Sequence, residues 1–242
     1  MTNNTSDKSL VNHPVVTPEQ WLDKRVELLH KEKELTRLRD ELSKARRDLP
    51  WVKLDKDYWF DGQHGSIPLS QLFGDKSQLI VHHFMFGPES DEGCPSCSFW
   101  SDNLNDSIIH LMQRDVNVVA VSRAPIEKLL SYRDRMGWRF NWVSSLNNTF
   151  NQDFHVSFDE KARENGKVFY NYHYTEFNND EAPGISIFYK DEEGNIFHTY
   201  SCYARGLDML NTAYHYLDLL PKGRDEDSLP FSMAWLKRKD EY

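Results

Sequence analysis

The sequence predicts an α/β fold in which a central mixed sheet is covered by helices on both faces and a long helix comes first. Three observations predict it. An apolar run over residues 79–86 leads through a short polar loop into a helical pattern that begins at Cys94. A β-branched run follows at 116–121, and residues 184–203 alternate apolar with polar side chains around a glycine turn. These patterns are typical of parallel strands joined by a helix and of an antiparallel hairpin.

The composition limits the class of protein. A chain of 242 residues with 39% hydrophobic and 13% aromatic residues can bury a large core, in one domain or in a domain with an appendage. The net charge of -9 argues against a nucleic-acid-binding surface, because such a surface needs clustered Lys and Arg.

The first residues carry neither a basic start nor an apolar run, and no segment approaches the roughly 18 apolar residues that a membrane helix needs. We therefore expect a soluble, cytoplasmic protein without membrane contact. Three cysteines are too few for a disulfide framework. In a reducing compartment, a close pair of cysteines indicates a redox or metal site rather than a structural bridge.

Residues 1–50 are predicted to form a leader followed by a helical arm. Thr17 is a typical N-cap, Pro18 suits the first helical position, and Gln20 completes a capping box. The helix should end near Asp48, because the proline two residues later disfavours helical conformation in the residue before it.

A narrow apolar seam runs along this helix. Leucines recur every seven residues, at Leu28, Leu35, Leu42 and Leu49, with Leu38 and Ala45 between them. Such a seam is typical of a helix that packs on another element or on a second copy of the chain. Lys31 interrupts it after one heptad, so the pattern fits both an arm on its own domain and a homodimer.

The polar loop after the first apolar run ends in Cys94-Pro95-Ser96-Cys97. The helical pattern that follows has its apolar side chains on one face, at Trp100, Leu104, Ile108 and Leu111. The first turn of a helix has free backbone N–H groups and the positive end of the peptide dipole, and both favour a thiolate. Cys94 is therefore the predicted nucleophile, and Cys97, one turn later, the predicted resolving cysteine.

The remaining elements complete the fold. A weak alternation over 53–60 before Asp61-Gly62 predicts a hairpin. A helix should open at Pro125 and stop at Gly137, before a short third strand at Trp142-Val143.

Residues 144–182 are predicted to be an insertion packed beside the site, with a helix near 159–165. A last helix is expected over 207–220, and residues 225–242 should form a tail that packs back onto the body. The order strand, helix, strand, helix, strand, hairpin and helix is that of a thioredoxin-like sheet, which we place at 51–224. The dithiol then lies at the carboxyl end of a central strand, where open α/β sheets place their sites.

The cysteine pair has two other interpretations. A zinc site needs four ligands, and the remaining cysteine, Cys202, is four residues from His198, about 13 Å along a strand, too far to share one metal easily. The second alternative is that both cysteines are buried and unreactive and serve only as small apolar side chains.

A peroxide-reducing enzyme of the same fold is the nearest functional rival. Such enzymes typically carry Pro-x-x-x-Thr/Ser-x-x-Cys before the helix. Counting back from Cys97 places Ser90 at the proline and Cys94 at the threonine. Counting back from Cys94 places Gly87 and Asp91 there, so neither register fits.

Three further residues are candidate substrate contacts. Pro183 precedes the strand at 185–189, where thioredoxin-like folds set a cis-proline that faces the dithiol, although an isolated X-Pro bond is usually trans. Trp100 and Arg205 are weaker candidates, since a core tryptophan and a solvated arginine at a helix start are the favoured interpretations of these two residues.

Other residues near the site favour structural interpretations. His82 and His83 point to opposite faces of one strand, so only one of them can face the site, and a buried histidine is usually a hydrogen-bonded core residue. Cys202 fits an inert buried thiol, with a third redox partner as the alternative.

Several motifs together resemble a known bacterial family. They are Phe84-Met85-Phe86-Gly87-Pro88, Gly93-Cys94-Pro95-Ser96-Cys97-Ser98, Val121-Ser122-Arg123-Ala124-Pro125, Met136-Gly137-Trp138-Arg139-Phe140, Pro183-Gly184-Ile185-Ser186, and His198-Thr199-Tyr200 through Tyr203-Ala204-Arg205-Gly206. Across residues 13–224 the chain is similar to the thioredoxin-like family of uncharacterised predicted dithiol-disulfide oxidoreductases or isomerases. The resemblance implies a thioredoxin-like fold with Cys94 and Cys97 as its redox pair. Cys202 departs from the family pattern, where threonine is more usual.

The sequence therefore predicts a thiol-disulfide oxidoreductase that needs neither organic cofactor nor metal and acts on a protein or small-molecule disulfide or thiol. The alternatives are a peroxiredoxin-like thiol peroxidase and a redox-inactive scaffold that dimerises through its N-terminal helix.

Overall fold

An eight-stranded mixed sheet forms the centre of the computed structural model, which describes residues 13–159 and 166–242. In chain order the strands are β1 (Val52–Lys53), β2 (Trp59–Gly62), β3 (Gly65–Pro68), β4 (Gln78–His83), β5 (Val116–Ser122), β6 (Asn141–Ser144), β7 (Val168–Tyr170), β8 (His173–Thr175), β9 (Gly184–Lys190) and β10 (Ile196–Tyr203). The spatial order is β1-β10-β9-β4-β5-β6-β2-β3, and β7 pairs with β8 separately. β4, β5 and β6 are parallel, whereas β9 and β10 are antiparallel to their neighbours.

Helices cover both faces of this sheet, and the fold is the predicted thioredoxin-like one. They are α1 (Pro18–Arg47), α2 (Leu69–Leu72), α3 (Pro95–Asn105), α4 (Ile108–Leu111), α5 (Ile126–Arg135), α6 (Phe150–Asp153) and α7 (Thr212–Leu217), with 3-10 segments at Met112–Arg114 and Ala204–Leu210.

The alternation of side chains along β4 divides the core into two layers. Leu79 and Val81 pack on one face with Phe150 and Phe188. The other face packs against α3 and α5, and Cys97 belongs to that layer. The helix that carries the cysteines is thereby fixed to the centre of the sheet.

The long N-terminal helix is confirmed. The side chain of Thr17 accepts from the N–H of Gln20, the side chain of Gln20 accepts from the N–H of Thr17, and Asp48 forms the C-cap. None of the side chains of α1 is buried.

Three predicted elements need correction. Residues 53–60 do not form one strand: Val52–Lys53 pairs with β10 at one sheet edge, and Trp59–Gly62 forms its hairpin with β3 at the other. The last helix is interrupted, because the side chain of Asn211 accepts from the N–H of Tyr214 and starts a new helix there. The helix predicted to follow Cys94 also ends at Asn105, and its apolar pattern continues in a separate helix, α4.

The segment predicted as an insertion contains α6 and the β7–β8 hairpin. The helix expected near 159–165 falls almost entirely outside the described residues. Among the described ranges, no helix is long and apolar enough to cross a membrane.

Candidate dithiol site

Cys94 is the N-cap of α3, at the carboxyl end of β4. Its backbone N–H donates to the Met85 carbonyl at 3.2 Å, and its carbonyl accepts from the N–H of Ser98 at 2.9 Å. Pro95 occupies the first helical position, so the free N–H groups of the first turn begin at Ser96. Local sequence alone therefore places Cys94 at the positive end of the helix dipole.

The residue before Cys94 must be small. A Cβ atom on Gly93 would lie 2.8 Å from ring carbons of both Phe84 and Tyr132. These rings are buried and pack edge to face, so they hold the backbone of Gly93 directly beneath the cysteine loop.

The environment of Cys94 favours its thiolate. The side chain of Cys97 faces the Cys94 sulfur and lowers its pKa to about 6, and the N–H groups of Cys97 and Ser96 contribute in the same direction against the effect of burial. The thiol makes no close capping hydrogen bond of ordinary geometry. The first turn of α3 and the Cys97 side chain together thus favour the thiolate of Cys94 at neutral pH.

Cys97 has the opposite character. It is fully buried, and its sulfur accepts from the N–H of Met85 at 3.5 Å. Burial raises the pKa of the Cys97 thiol well above its usual range, and its hydrogen bond to the Cys94 sulfur and the charge there raise it further. All three cysteines are free thiols.

A carboxyl group near Cys97 was not identified from the sequence. Glu181 is 4% exposed, and its Oε1 has no hydrogen-bond partner among the described residues. Burial raises its pKa to about 7, partly offset by the Arg123 guanidinium and the N–H of Phe86. Its charge also raises the pKa of Cys97. In the sequence Glu181 follows Asn178-Asn179-Asp180, which looks like a solvated loop, so no local signal distinguishes it.

The C-terminal tail also reaches the site. The guanidinium of Arg238 donates to the Gly93 carbonyl from Nε at 3.2 Å and from Nη2 at 3.0 Å. Arg238 also pairs with Glu92 and with Glu241, both at 2.9 Å. The loop that leads into Cys94 is therefore held by a residue near the end of the chain.

Pro183 lies at the start of β9 with a trans peptide bond, since the described residues contain no cis bond. The cis-proline expectation is therefore wrong. The Pro183 carbonyl accepts from the Tyr170 hydroxyl at 2.8 Å, and that hydroxyl also accepts from the N–H of Ala204. β9 and β7 are tied together at this point, two residues from Glu181.

Trp100 and Arg205 occupy structural positions. The indole N–H of Trp100 donates to the Leu207 carbonyl at 3.3 Å, and its ring packs beside Ile185 and Cys202. The side chain of Arg205 is 84% exposed and pairs with Asp208 at 3.0 Å. A substrate-binding role for these two residues and for Pro183 remains a prediction.

The two histidines of β4 lie on opposite faces, as expected. His82 faces α3, with Nδ1 3.3 Å from the hydroxyl of Ser101, and His83 Nε2 lies 2.7 Å from the hydroxyl of Ser186 on the other face. Burial lowers the pKa of His82 to about 4 and that of His83 to about 3, so both are neutral. Within the described segments, no group of three His, Cys, Asp or Glu side chains could hold a metal ion.

Cys202 lies on β10, two strands away from β4, the strand that leads to the cysteine pair. It is opposite Ile185 in the β9–β10 ladder. It is buried, and burial raises the pKa of its thiol. These are the properties of an unreactive core cysteine.

Comparison with known families identifies the group to which the sequence belongs. The model of a family described as "Bacterial protein of unknown function (DUF899)" matches residues 10–242. The chain belongs to the DUF899 family. The bacterial origin of the family that the motifs resemble is thus confirmed, whereas the family description assigns no oxidoreductase or isomerase activity. The sequence matches no curated protein.

Several solved structures are similar to this DUF899 chain. Peroxidoxin BcpB from Mycobacterium tuberculosis is 12% identical, with 68% of this chain and 94% of that chain covered and a TM-score of 0.44. Peroxiredoxin Q from Xanthomonas campestris is 14% identical, with 69% and 96% covered and a TM-score of 0.44. A putative thiol:disulfide interchange protein DsbE from Chlorobium tepidum is 13% identical, with 69% and 98% covered and a TM-score of 0.39. Likenesses this distant carry no information about the reaction of this chain.

Proposed function

We propose that this protein is a thiol-disulfide oxidoreductase in which Cys94 attacks and Cys97 resolves. The observation that carries the proposal is the contrast between two neighbouring sulfurs: Cys94 is half-buried at the N-cap of α3, and Cys97, one turn later, is fully buried. Cys94 is partly accessible with a pKa of about 6, and Cys97 is fully buried with a raised pKa. A nucleophile must be exposed and ionised, whereas a resolving thiol must stay protonated until it is needed.

In the first step the Cys94 thiolate attacks one sulfur of a substrate disulfide. A new S–S bond joins Cys94 to the substrate, the substrate S–S bond breaks, and the second substrate sulfur leaves as a thiolate that takes a proton from water. No cofactor is required for this exchange. Helix α3 favours it by presenting Cys94 as the thiolate at neutral pH.

In the second step Cys97 must lose its proton. Formation of the mixed disulfide removes the Cys94 charge, which is one cause of the raised pKa of Cys97. Burial and the charge of Glu181 then remain as causes of the raised Cys97 pKa. Glu181 has a pKa of about 7 and an unpartnered Oε1, so it can accept a proton near neutral pH. We assign it as the acceptor of the Cys97 proton.

The Cys97 thiolate then attacks the Cys94 sulfur. The Cys94–Cys97 disulfide forms, the bond to substrate breaks, and the first substrate sulfur leaves carrying its electron pair. The substrate is reduced by two electrons and the protein is oxidised by two. A dithiol of the surrounding pool reverses the change, so the pair can operate in either direction. We propose the cytoplasm as its location.

The decisive experiment measures reduction of a small aromatic disulfide by the prereduced protein, with single Cys94→Ser, Cys97→Ser and Cys202→Ser variants. We expect Cys94→Ser to abolish the reaction, Cys97→Ser to trap one equivalent of mixed disulfide, and Cys202→Ser to behave as the unchanged protein.

Reduction that survives Cys94→Ser would refute the proposal. Consumption of hydrogen peroxide is measured in parallel. Peroxide turnover without disulfide turnover would assign the site to the peroxidase alternative instead.

A further inference from the structure

Helix α1 carries an apolar seam that nothing covers within the described part of the chain. The helix is 30 residues long and buries none of them. Leu35, Leu38 and Leu42 are 57%, 59% and 48% exposed. Helices in proteins owe most of their stability to packing of their apolar face, and this one has no such packing in the single chain.

The last turns of the helix lie against the body. Of the residues there, Ser43 and Arg46 are partly covered, and the Arg46 guanidinium lies 5.6 Å from the centre of the Tyr200 ring. The leucine seam therefore projects from the domain as a surface that a partner can reach.

Charged residues flank the seam in two rows of opposite character. When Leu28, Leu35, Leu42 and Leu49 are placed at heptad position a, Leu38 and Ala45 occupy position d. The acidic row at position g is Glu27, Glu34 and Glu41. The mainly basic row at position e is Arg25, Glu32, Arg39 and Arg46.

These rows select one relative orientation of two identical helices. In a parallel pair, position g of one helix faces position e five residues later in the other, so Glu34 meets Arg39 of the second copy. Glu41 faces Arg46, whose guanidinium lies against Tyr200 of its own domain. Two-fold symmetry doubles each contact. Glu27 would face a second acid, Glu32, although Glu32 already pairs with Arg25 of its own helix at 2.8 Å.

An antiparallel pair brings each row against itself. Acidic side chains would face Glu34 and Glu41, so the whole g row would repel, whereas in the e row Glu32 attracts one arginine while the remaining arginines face each other. Charge complementarity therefore favours the parallel arrangement.

We propose that α1 forms a parallel two-stranded coiled coil with α1 of a second copy of this chain. The contact is centred on residues 34–42, where the apolar seam and the complementary charges coincide; Leu49 lies beyond the C-cap Asp48 and outside the helix. Lys31 at position d sits at the edge of this region, where its charged end can reach solvent and fix the register. Leu22, Val26 and Leu29 lie outside the seam. The proposal is independent of the redox chemistry.

The first test is the mass of the full chain in solution. Light scattering over a dilution series should give twice the monomer mass of 28.6 kDa. Leu38→Asp should give the monomer, whereas the matched control Leu219→Asp, at a position 80% exposed outside the arm, should remain dimeric. A monomer at every concentration, a larger assembly, or a dimer that survives Leu38→Asp would overturn the proposal.

The second test determines the orientation. Glu34→Arg and Arg39→Glu should each raise the dimer dissociation constant roughly tenfold at about 0.15 M salt, because each replaces two attractive pairs by two repulsive ones. The double variant should restore it to about the original value. Lys33→Glu, at the outer position f, is the control for altered charge.

Rescue in the double variant also excludes misfolding as the cause of dissociation, and far-ultraviolet circular dichroism checks the helix in each protein. Equal dissociation constants for the unchanged protein and both single variants would refute the parallel pairing.

Discussion

Replacing Cys97 by alanine tests what stabilises the thiolate of Cys94. The Cys94 pKa of about 6 lies some three pH units below the ordinary value of 9.0, and the Cys97 side chain is the largest single cause. Three units correspond to about 4 kcal/mol of preference for the thiolate. Because Cys97 is the largest of these causes, its removal should raise the Cys94 pKa by about one unit, on the order of 1 kcal/mol.

The assay is the rate of alkylation of Cys94 by iodoacetamide between pH 4.5 and 10, in a Cys202→Ala background so that only the site reacts. The rate should reach half its maximum near pH 6 when Cys97 is present. Cys97→Ala should move this midpoint towards the free-thiol value of about 8.5. An unchanged midpoint in Cys97→Ala, or a midpoint near 8.5 with Cys97 present, would refute this account of the site.

Four further outcomes are expected. Folding lowers the pKa of Cys94, so its thiolate stabilises the folded reduced protein fully above about pH 9, and this contribution is lost as pH falls through about 6. The free energy of unfolding in urea should therefore differ most between Cys94→Ser and the unchanged protein at high pH. Glu181→Gln should slow release of the mixed disulfide at least tenfold in stopped-flow measurements and leave the alkylation rate of Cys94 unchanged, whereas equal slowing of both would contradict its assigned role. Gly93→Ala should lower the free energy of unfolding by about 1–3 kcal/mol, because buried rings must move; a loss within error of zero would mean that those rings can yield. Arg238→Ala should increase hydrogen exchange at the Gly93 and Cys94 amides while global stability changes by less than about 1 kcal/mol; unchanged protection there would show that the tail does not hold the loop.

Much of the architecture follows from local pattern. The capping box at Thr17 fixes where α1 begins, because its two hydrogen bonds form within one turn. The apolar runs predict β4 and β5, and burial on both faces explains why neither alternates strictly. Cys94 is at a helix start because Pro95 follows it and a one-sided apolar pattern continues from there.

One error was local, and two came where tertiary contacts overrode local pattern. The periodicity over 207–220 continues smoothly, yet Asn211 forms a cap and divides the segment. The alternation over 53–60 could not show that its two ends join opposite edges of one sheet. In thioredoxin-like folds the residue at Pro183 is expected to be cis, but here its carbonyl accepts from Tyr170 with a trans bond.

The sequence by itself determined that two cysteines one turn apart open a helix after a buried strand, and that a seamed helix comes before them. Only the tertiary structure decided which groups surround those sulfurs. Arg238 is 145 residues from Gly93 along the chain, and Glu181 comes from the far side of the insertion. Periodicity records which face of an element is buried, since that depends on neighbours within a turn or two. It carries no information about which distant side chain completes the site.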